Sequence, residues 1–339
     1  MKIFISEVFI MKKITAFVLC VLMVCGVFAG CGASNTNTTN TSTGNTTNTS
    51  TGKIKIVTTI FPIYDWVKEI VGDNENVELT MLLDKGVDLH SFQPAADDIL
   101  KISACDMFIY VGGESDEWAE DALKESTNKN QVSVNLLNVL GSSVKEEEVK
   151  EGMEAEHEEE GEHEHEEEPE YDEHVWLSVK NAKTLCEKIS AELCKLDAAN
   201  KEAYQSNTTA YTAKLDSLDK EYEAAVKNAG VKTVLFGDRF PFRYLVDDYG
   251  LDYYAGFVGC SAESEASFET IVFLAKKVDE LGLKAICQIE SSDGKIAKTI
   301  KDNTKSKNQE VLTLDSLQST TGEQAKSGKT YLSVMQSNL

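Results

Sequence analysis

Strand-like and helix-like segments alternate along most of the chain, and this alternation restricts the possible folds more than any other feature. Apolar, β-branched runs such as IKIVTTIF at 54–61 are followed by amphipathic segments, here PIYDWVKEIVG at 62–72. Strands that are separated by helices pair in parallel, because a parallel connection has to cross over the sheet. The pattern therefore predicts an α/β fold with helices on the faces of parallel sheets.

The alternation is interrupted once, between residues 178 and 228, where strand-like character is lost. Apolar residues there recur at helical spacing, which predicts a connector helix of about 28 residues and roughly 40 Å. The alternation resumes at TVLFGD, residues 233–238. We therefore predict two lobes, each with a small parallel sheet flanked by helices, joined by a long rigid connector helix. The predicted strands cover 54–61, 77–83, 106–112, 233–238, 252–258, 285–291 and 311–317.

The N-terminus has the charged, apolar and small-residue zones of a secretory signal. Lys12 and Lys13 precede an apolar run that ends at Cys31, and Phe-Ala-Gly-Cys at 28–31 resembles a bacterial lipobox. That resemblance implies that Cys31 is the lipidated first residue of the mature chain, at the extracytoplasmic face of the bacterial cell membrane. A plain secreted protein or an uncleaved anchor is the alternative. The Asn- and Thr-rich residues 32–52 are predicted to form a flexible tether.

Residues 146–173 carry seventeen Asp or Glu, three His and one Lys, so about sixteen of the 24 excess negative charges lie in this run. Unpaired carboxylates are costly to bury, which predicts a solvated loop. The loop is either an acidic spacer or an auxiliary metal loop that uses His157, His163 and His165, because imidazole and carboxylate together favour zinc-like cations. A net charge of −24 and a pI near 4.6 argue against a nucleic-acid partner.

The cysteines beyond Cys31 give no metal or disulfide signature. They form no CxxC pair, so the sequence predicts no thiolate zinc site, and their odd number argues against a complete disulfide framework. The sequence does not determine whether Cys260 and Cys287 form a disulfide bond. Most are predicted to act as small buried hydrophobic residues. The set comprises Cys105, Cys186, Cys194, Cys260 and Cys287.

Candidate metal ligands follow the predicted strands, where open parallel sheets bind their ligands. His90 follows the strand at 77–83, Asp238 ends the strand TVLFGD, and Glu290 follows AICQI. His174 comes directly after the acidic run. Imidazole and carboxylate donors suit a tetrahedral zinc site, and the carboxylates would also accept manganese.

The chain resembles the metal-binding receptors of zinc and manganese ABC importers over about residues 54–339. The resemblance rests on the segments GVDLHSFQP and HVWL, and a His-containing acidic loop before HVWL is similar to the zinc branch. It implies two α/β lobes with the metal in the cleft between them. Carried over to this sequence, His90 and His174 match two imidazole ligands, and Glu290 matches a position at the fourth site.

One position departs from the family pattern. The family places His or Glu three residues before Phe-x-Tyr, where GDRFPFRYL has Arg239. A guanidinium stays protonated and cannot ligate a cation, so we expect Asp238 or another group to complete the site. Arg239 is expected to pair with Glu290 or Asp238 and to close the cleft.

The expected function is a zinc-binding receptor, anchored to the membrane by its lipid, that delivers metal to an ABC permease. We expect a monomer and no enzyme, since neither HExxH nor GxSxG is present. A manganese receptor and a surface adhesin with a structural metal are the alternatives. The predicted divisions are 1–31 signal peptide, 32–52 tether, 53–145 N-terminal lobe, 146–173 acidic loop, 174–230 rest of that lobe with the connector, and 231–339 C-terminal lobe.

Overall fold

The structure is a computed structural model that describes residues 52–154, 170–261 and 265–339. The predicted signal peptide with Cys31, nearly all of the tether, and the loop residues His157, His163 and His165 lie outside the described residues. Within the described ranges, every helix is too short or too polar to cross a membrane.

The first sheet has four parallel strands in the order β2-β1-β3-β4. Its central strand β1 aligns Ile56 with Leu79 of β2 and with Met107 of β3. Ile56 and Met107 are fully buried, as expected for strands that are covered by helices on both faces. The strands are β1 Ile54–Thr58, β2 Val77–Met81, β3 Met107–Tyr110 and β4 Val132–Asn135.

Helices cover the first sheet and then lead to the connector. The connector α6, Lys201–Asn228, has 28 residues, which corresponds to about 42 Å. It buries one face, which includes Tyr211 and Leu215, against the main core. The preceding helices are α1 Phe61–Val71, α2 Ala96–Ala104, α3 Glu117–Lys124, α4 Leu136–Leu140 and α5 Val179–Leu196.

The second sheet repeats the architecture, with four parallel strands in the order β6-β5-β7-β8. Side chains on one face, such as Phe236, join the main core, and those on the other face, such as Leu235, form a smaller core with the outer helices. The elements are β5 Thr233–Phe240, α7 Arg243–Tyr249, β6 Asp252–Val258, α8 Phe268–Leu281, β7 Ala285–Ile289, α9 Lys295–Asn303, β8 Glu310–Leu314, α10 Gly322–Lys326 and α11 Tyr331–Asn338.

Two side chains tie the C-terminal region to the HVWL segment. The Trp176 indole N–H donates to Ser316 O at 2.9 Å, and the Tyr331 hydroxyl donates to Trp176 O at 2.7 Å. The Tyr331 backbone N–H also donates to Asp65 in α1 at 2.8 Å. These bonds are buried and join distant parts of the chain. Buried side chains of both lobes also belong to one continuous core.

The predicted two-lobe α/β fold is confirmed, with corrections in detail. The strand β4 and the helices α3, α4, α10 and α11 were not predicted, because segments of four to eight residues contain too few periodic positions. The expectation that residues 146–173 form a solvated loop throughout is wrong at both described ends. Asp172 and Glu173 are buried, and the Glu154 N–H donates to Gly256 O at 3.0 Å at the edge of the second sheet. The His174 N–H donates to Asp172 and the Ser115 N–H donates to Glu173, each at 2.9 Å, which offsets part of the cost of burying these carboxylates.

Candidate metal centre

His90 lies in the loop after β2, at the carboxyl end of the first sheet. Its backbone N–H donates to Asp88 Oδ1 at 3.1 Å, which caps the short 3₁₀ turn Leu89–Ser91. Its ring nitrogen Nδ1 lies 2.7 Å from Ser115 Oγ and 3.5 Å from a carboxylate oxygen of Glu173. The ring is therefore oriented by groups on its Nδ1 side.

His174 is fully buried in the segment between the acidic run and the connector helices. Its backbone N–H and its Nδ1 both contact Asp172 Oδ1, at 2.9 and 3.0 Å. Gly259 passes close to the ring, and a Cβ there would lie 3.0 Å from His174 Cε1. The second lobe thus needs a glycine where it meets this imidazole.

The Nε2 atoms of His90 and His174 face each other at 3.1 Å. Acceptor oxygens lie beside both Nδ1 atoms, which favours the tautomer with the proton on Nδ1 and the lone pair on Nε2. Two nitrogen ligands of a tetrahedral zinc ion are about 3.3 Å apart when each Zn–N bond is about 2.0 Å. The two Nε2 atoms therefore have nearly the spacing of two nitrogen ligands of one zinc ion.

The two imidazoles have opposite pKa shifts. Burial lowers the pKa of His90 well below its usual range, and the charges of His174 and Arg239 lower it further. Burial also disfavours the charged form of His174, but the charge and hydrogen bond of Asp172 outweigh this effect and raise the pKa of His174. In the absence of metal, a proton shared by this pair therefore belongs mainly to His174.

Cys260 supplies a third donor that the sequence did not predict. It lies just after β6, and His90, His174 and Cys260 have donor atoms within 4.8 Å of one another. Burial raises the pKa of the Cys260 thiol well above its usual range. Cys260 and Cys287 are both free thiols, so the possible bond between them is not formed. The position of Cys260 after a strand of the parallel sheet was the signal that could have identified it.

Arg239 pairs with Asp88, not with the expected Glu290 or Asp238. One guanidinium nitrogen, Nη2, binds the Asp88 carboxylate, and the other, Nη1, donates to Ser261 O at 3.1 Å. Asp88 belongs to the first lobe and Arg239 to the second. The guanidinium therefore joins the two lobes beside the histidine pair instead of occupying a ligand position.

Asp238 and Glu290 bind backbone and hydroxyl groups near the centre. The Ile289 N–H donates to Asp238 Oδ2 at 3.4 Å. Glu290 accepts from Ser316 N at 2.8 Å, and from the hydroxyls of Ser316 at 3.0 Å and Ser319 at 2.9 Å. Neither carboxylate belongs to the group of described residues whose donor atoms gather around the two histidines.

A cavity of about 470 Å³ opens beside His90 towards the end of the acidic run. Glu170, the first described residue after the gap in the acidic run, lines this cavity beside His90 and Cys260. Carboxylates of the first lobe and of the acidic run line it, which makes its potential attractive to cations. The acidic side chains that line it are Glu114, Glu117, Glu147, Glu170 and Glu173.

Comparison with known proteins gives this centre a context. The sequence profile of ZnuA, described as zinc-uptake complex component A, periplasmic, matches residues 56–339. The chain belongs to the ZnuA family. Receptors of this family bind a solute outside the cytoplasm, which fits a cleft that gathers two imidazoles and a thiol between two lobes.

Individual ZnuA relatives agree with this assignment. The chain is 33% identical over 291 residues to the zinc-binding protein AdcA of Streptococcus pyogenes serotype M3, covering 85% of this chain and 55% of that protein. It therefore spans about half the length of that relative. It is also 33% identical over 320 residues to the high-affinity zinc uptake system protein ZnuA of Bacillus subtilis, covering 94% of this chain and 92% of that protein.

A solved structure of the ZnuA family has the same fold. The crystal structure of the Zn(II)-bound ZnuA-like domain of Streptococcus pneumoniae AdcA matches with a TM-score of 0.65 and 28% identity. The match covers 85% of this chain and 96% of that domain.

Proposed function

We propose that the protein is an extracytoplasmic zinc receptor that captures the ion between its lobes and delivers it to the permease of an ABC importer. The observation that carries this proposal is the approach of His90 Nε2 to His174 Nε2 at 3.1 Å, with both Nδ1 atoms beside oxygens. Two nearby lone pairs repel each other unless a proton or a cation lies between them. The names of the zinc-binding and zinc-uptake relatives support zinc as this cation.

In this proposal His90 and His174 are ligands, and Asp172 holds the second imidazole in its metal-binding orientation. A carboxylate on the far nitrogen of a histidine ligand fixes its tautomer and raises its basicity. Asp238 and Glu290, which the sequence suggested as ligands, instead fix the turns around the centre through their hydrogen bonds.

The acidic loop collects metal for this centre. Its imidazoles His157, His163 and His165 bind zinc weakly and raise its local concentration beside the cavity that Glu170 lines. The chain acts as a monomer that is held at the membrane by a lipid on Cys31. It binds and releases metal without catalysing a reaction.

Zinc titration in competition with a chelator tests this function. We compare three proteins: the wild type, His90→Ala and His174→Ala. Each is measured with the native loop and with His157, His163 and His165 all changed to Ala. The expected result is one tight site that either single change abolishes and that the triple change preserves. Tight binding that survives both single changes would place the metal elsewhere and overturn the proposal.

Transport requires a cellular measurement beside the titration. Cells that produce either single variant should take up less zinc under zinc limitation, while the triple loop variant should show a defect only at the lowest zinc concentrations. The same titration with manganese separates the manganese alternative: tighter binding of manganese than of zinc would favour a manganese receptor.

A further inference from the structure

The third ligand of the centre is the open chemical question. The family pattern places His or Glu where this chain has Arg239, and a guanidinium cannot bind a cation. Its nitrogens are bound to Asp88 and to Ser261 O, so it does not face the gap between the histidines as a ligand would. Another donor has to fill the position if the centre is to hold zinc with more than two protein ligands.

We propose that Cys260 is the third metal ligand and that its sulfur makes the centre selective for zinc over manganese. This inference rests on the proposed zinc-receptor function and deepens it. The donor atoms of His90, His174 and Cys260 lie within 4.8 Å of one another, so small movements bring all three to bonding distance from one ion. Typical bonds are about 2.0 Å to nitrogen and about 2.3 Å to sulfur.

The structure holds Cys260 in place from both sides. Its backbone N–H donates to Glu147 Oε1 at 3.1 Å, and Arg239 donates to the carbonyl of the next residue, Ser261, at 3.1 Å. Burial raises the pKa of the Cys260 thiol, and a backbone N–H of Glu173 opposes this rise. Such N–H groups stabilise a metal-bound thiolate. Arg239 therefore acts as a positioning residue for the ligand that replaces the family's third donor.

The chemistry of binding balances without a further reactant. The thiol releases its proton to solvent as the sulfur–zinc bond forms, since a coordinating thiol is deprotonated by the ion itself. The thiolate and the two neutral imidazoles carry one negative charge together. Thiolate is a soft ligand that favours zinc, whereas manganese prefers carboxylate, carbonyl and water oxygens. The sulfur thus discriminates between the two ions that the family transports.

The alternative is that Cys260 is only a small apolar residue. Three of the other free thiols, Cys105, Cys186 and Cys287, fit that description because they are buried. Cys260 differs from them because its donor atom belongs to a group with two imidazole nitrogens. Cys194 is a matched control: it is free and partly exposed like Cys260, but it lies at the end of α5, away from this group.

Cobalt(II) spectroscopy tests the ligand directly, because a cobalt–thiolate bond gives a near-ultraviolet charge-transfer band. We titrate cobalt into the protein with the loop changes His157→Ala, His163→Ala and His165→Ala, so that only the cleft is probed. The band should saturate at one equivalent, disappear in Cys260→Ser and persist in Cys194→Ser. Absence of the band in the protein with native Cys260 would overturn the proposal without depending on how any Cys260 variant folds.

Zinc and manganese titrations then test selectivity. Cys260→Ser should lower zinc affinity by more than about 100-fold, because even the loss of an outer-shell partner costs 10–100-fold. Manganese affinity should change by less than about tenfold, since sulfur is a poor ligand for manganese. Equal losses for both ions would contradict the selectivity role. If zinc binding depends on His90 but the cobalt–thiolate band is absent, only the ligand role of Cys260 is refuted. If zinc binding does not depend on His90, the receptor function itself is refuted.

Discussion

The ion pair between Arg239 and Asp88 should stabilise the contact between the two lobes. Both side chains are largely buried, with 14% of Arg239 and 15% of Asp88 exposed. The guanidinium also donates to Ser261 O. We predict that Arg239→Ala and Asp88→Ala are strongly coupled, because each change removes the partner of a charge that water reaches poorly.

The size of this coupling follows from the contacts. A hydrogen bond to a charged group contributes about 1.5–3 kcal/mol, whereas an exposed ion pair contributes about 0.2–1 kcal/mol. The pair is mostly but not fully buried, so we expect a coupling free energy of about 2 kcal/mol. Asp88→Ala should cost about 1 kcal/mol more by itself, because Asp88 also caps the turn of His90. The cycle removes that separate loss from the coupling.

Urea unfolding of the metal-free wild type, both single variants and the double variant measures the coupling. A second cycle on Lys298 and Asp302 is the control, because that pair has the same charges but is exposed by 74% and 53%. The control coupling should be close to zero, because water screens an exposed ion pair. If the Arg239–Asp88 coupling is no larger than the control coupling, the guanidinium does not hold the lobes together and our reasoning fails.

Three further predictions concern the histidine pair and the turn beneath it. The raised pKa of His174 means that protons compete with zinc at this ring from above pH 6.5, so zinc affinity should fall as the pH is lowered through that range. Asp172→Asn removes the charge that raises this pKa, so the fall in zinc affinity should move to lower pH. Zinc affinity at pH 8 should drop about 10–100-fold in this variant. The affinities are measured by chelator competition, and an unchanged pH profile in the variant would contradict both pH predictions. Gly113→Ala should lower the free energy of unfolding by about 2–3 kcal/mol, because φ is +82° and the new Cβ would lie 2.3 Å from Glu173 Oε1. Gly282→Ala, with φ +64° and no atom within 4 Å of the new Cβ, should cost only about 1 kcal/mol, and equal losses in urea unfolding would show that Glu173 moves aside freely.

The sequence predicted the strands best where burial on both faces leaves a continuous apolar run. The strand at 252–258 agrees with β6 at both ends, and the predicted 28-residue connector corresponds to α6. The strand β4, VSVN, escaped prediction because it has only four residues and two of them are polar.

The centre was predictable only in part, because its members come from separate loops. His90 follows a strand and His174 precedes a helix, and both positions can be read along the chain. Cys260 is harder to identify, because a single cysteine from one loop does not produce the local CxxC spacing that marks thiolate sites. The partner of Arg239 depends on how the loops of the two sheets face each other, which local periodicity does not encode.

Electrostatics links Arg239 and Cys260 in the proposed site. A site that takes its third ligand from an imidazole adds no charge at that position. In the proposed site a Cys260 thiolate would add one negative charge, and the guanidinium that binds Ser261 O, next to Cys260, adds one positive charge. The two charges would therefore cancel, which gives the same local charge as a neutral third ligand. A thiolate without the guanidinium would leave another negative charge in a cleft already surrounded by the carboxylates of Glu147 and Glu173, whereas the guanidinium without the thiolate would repel the cation. The thiolate and the guanidinium together thus leave the net charge of the cleft unchanged, whereas either one alone would change it.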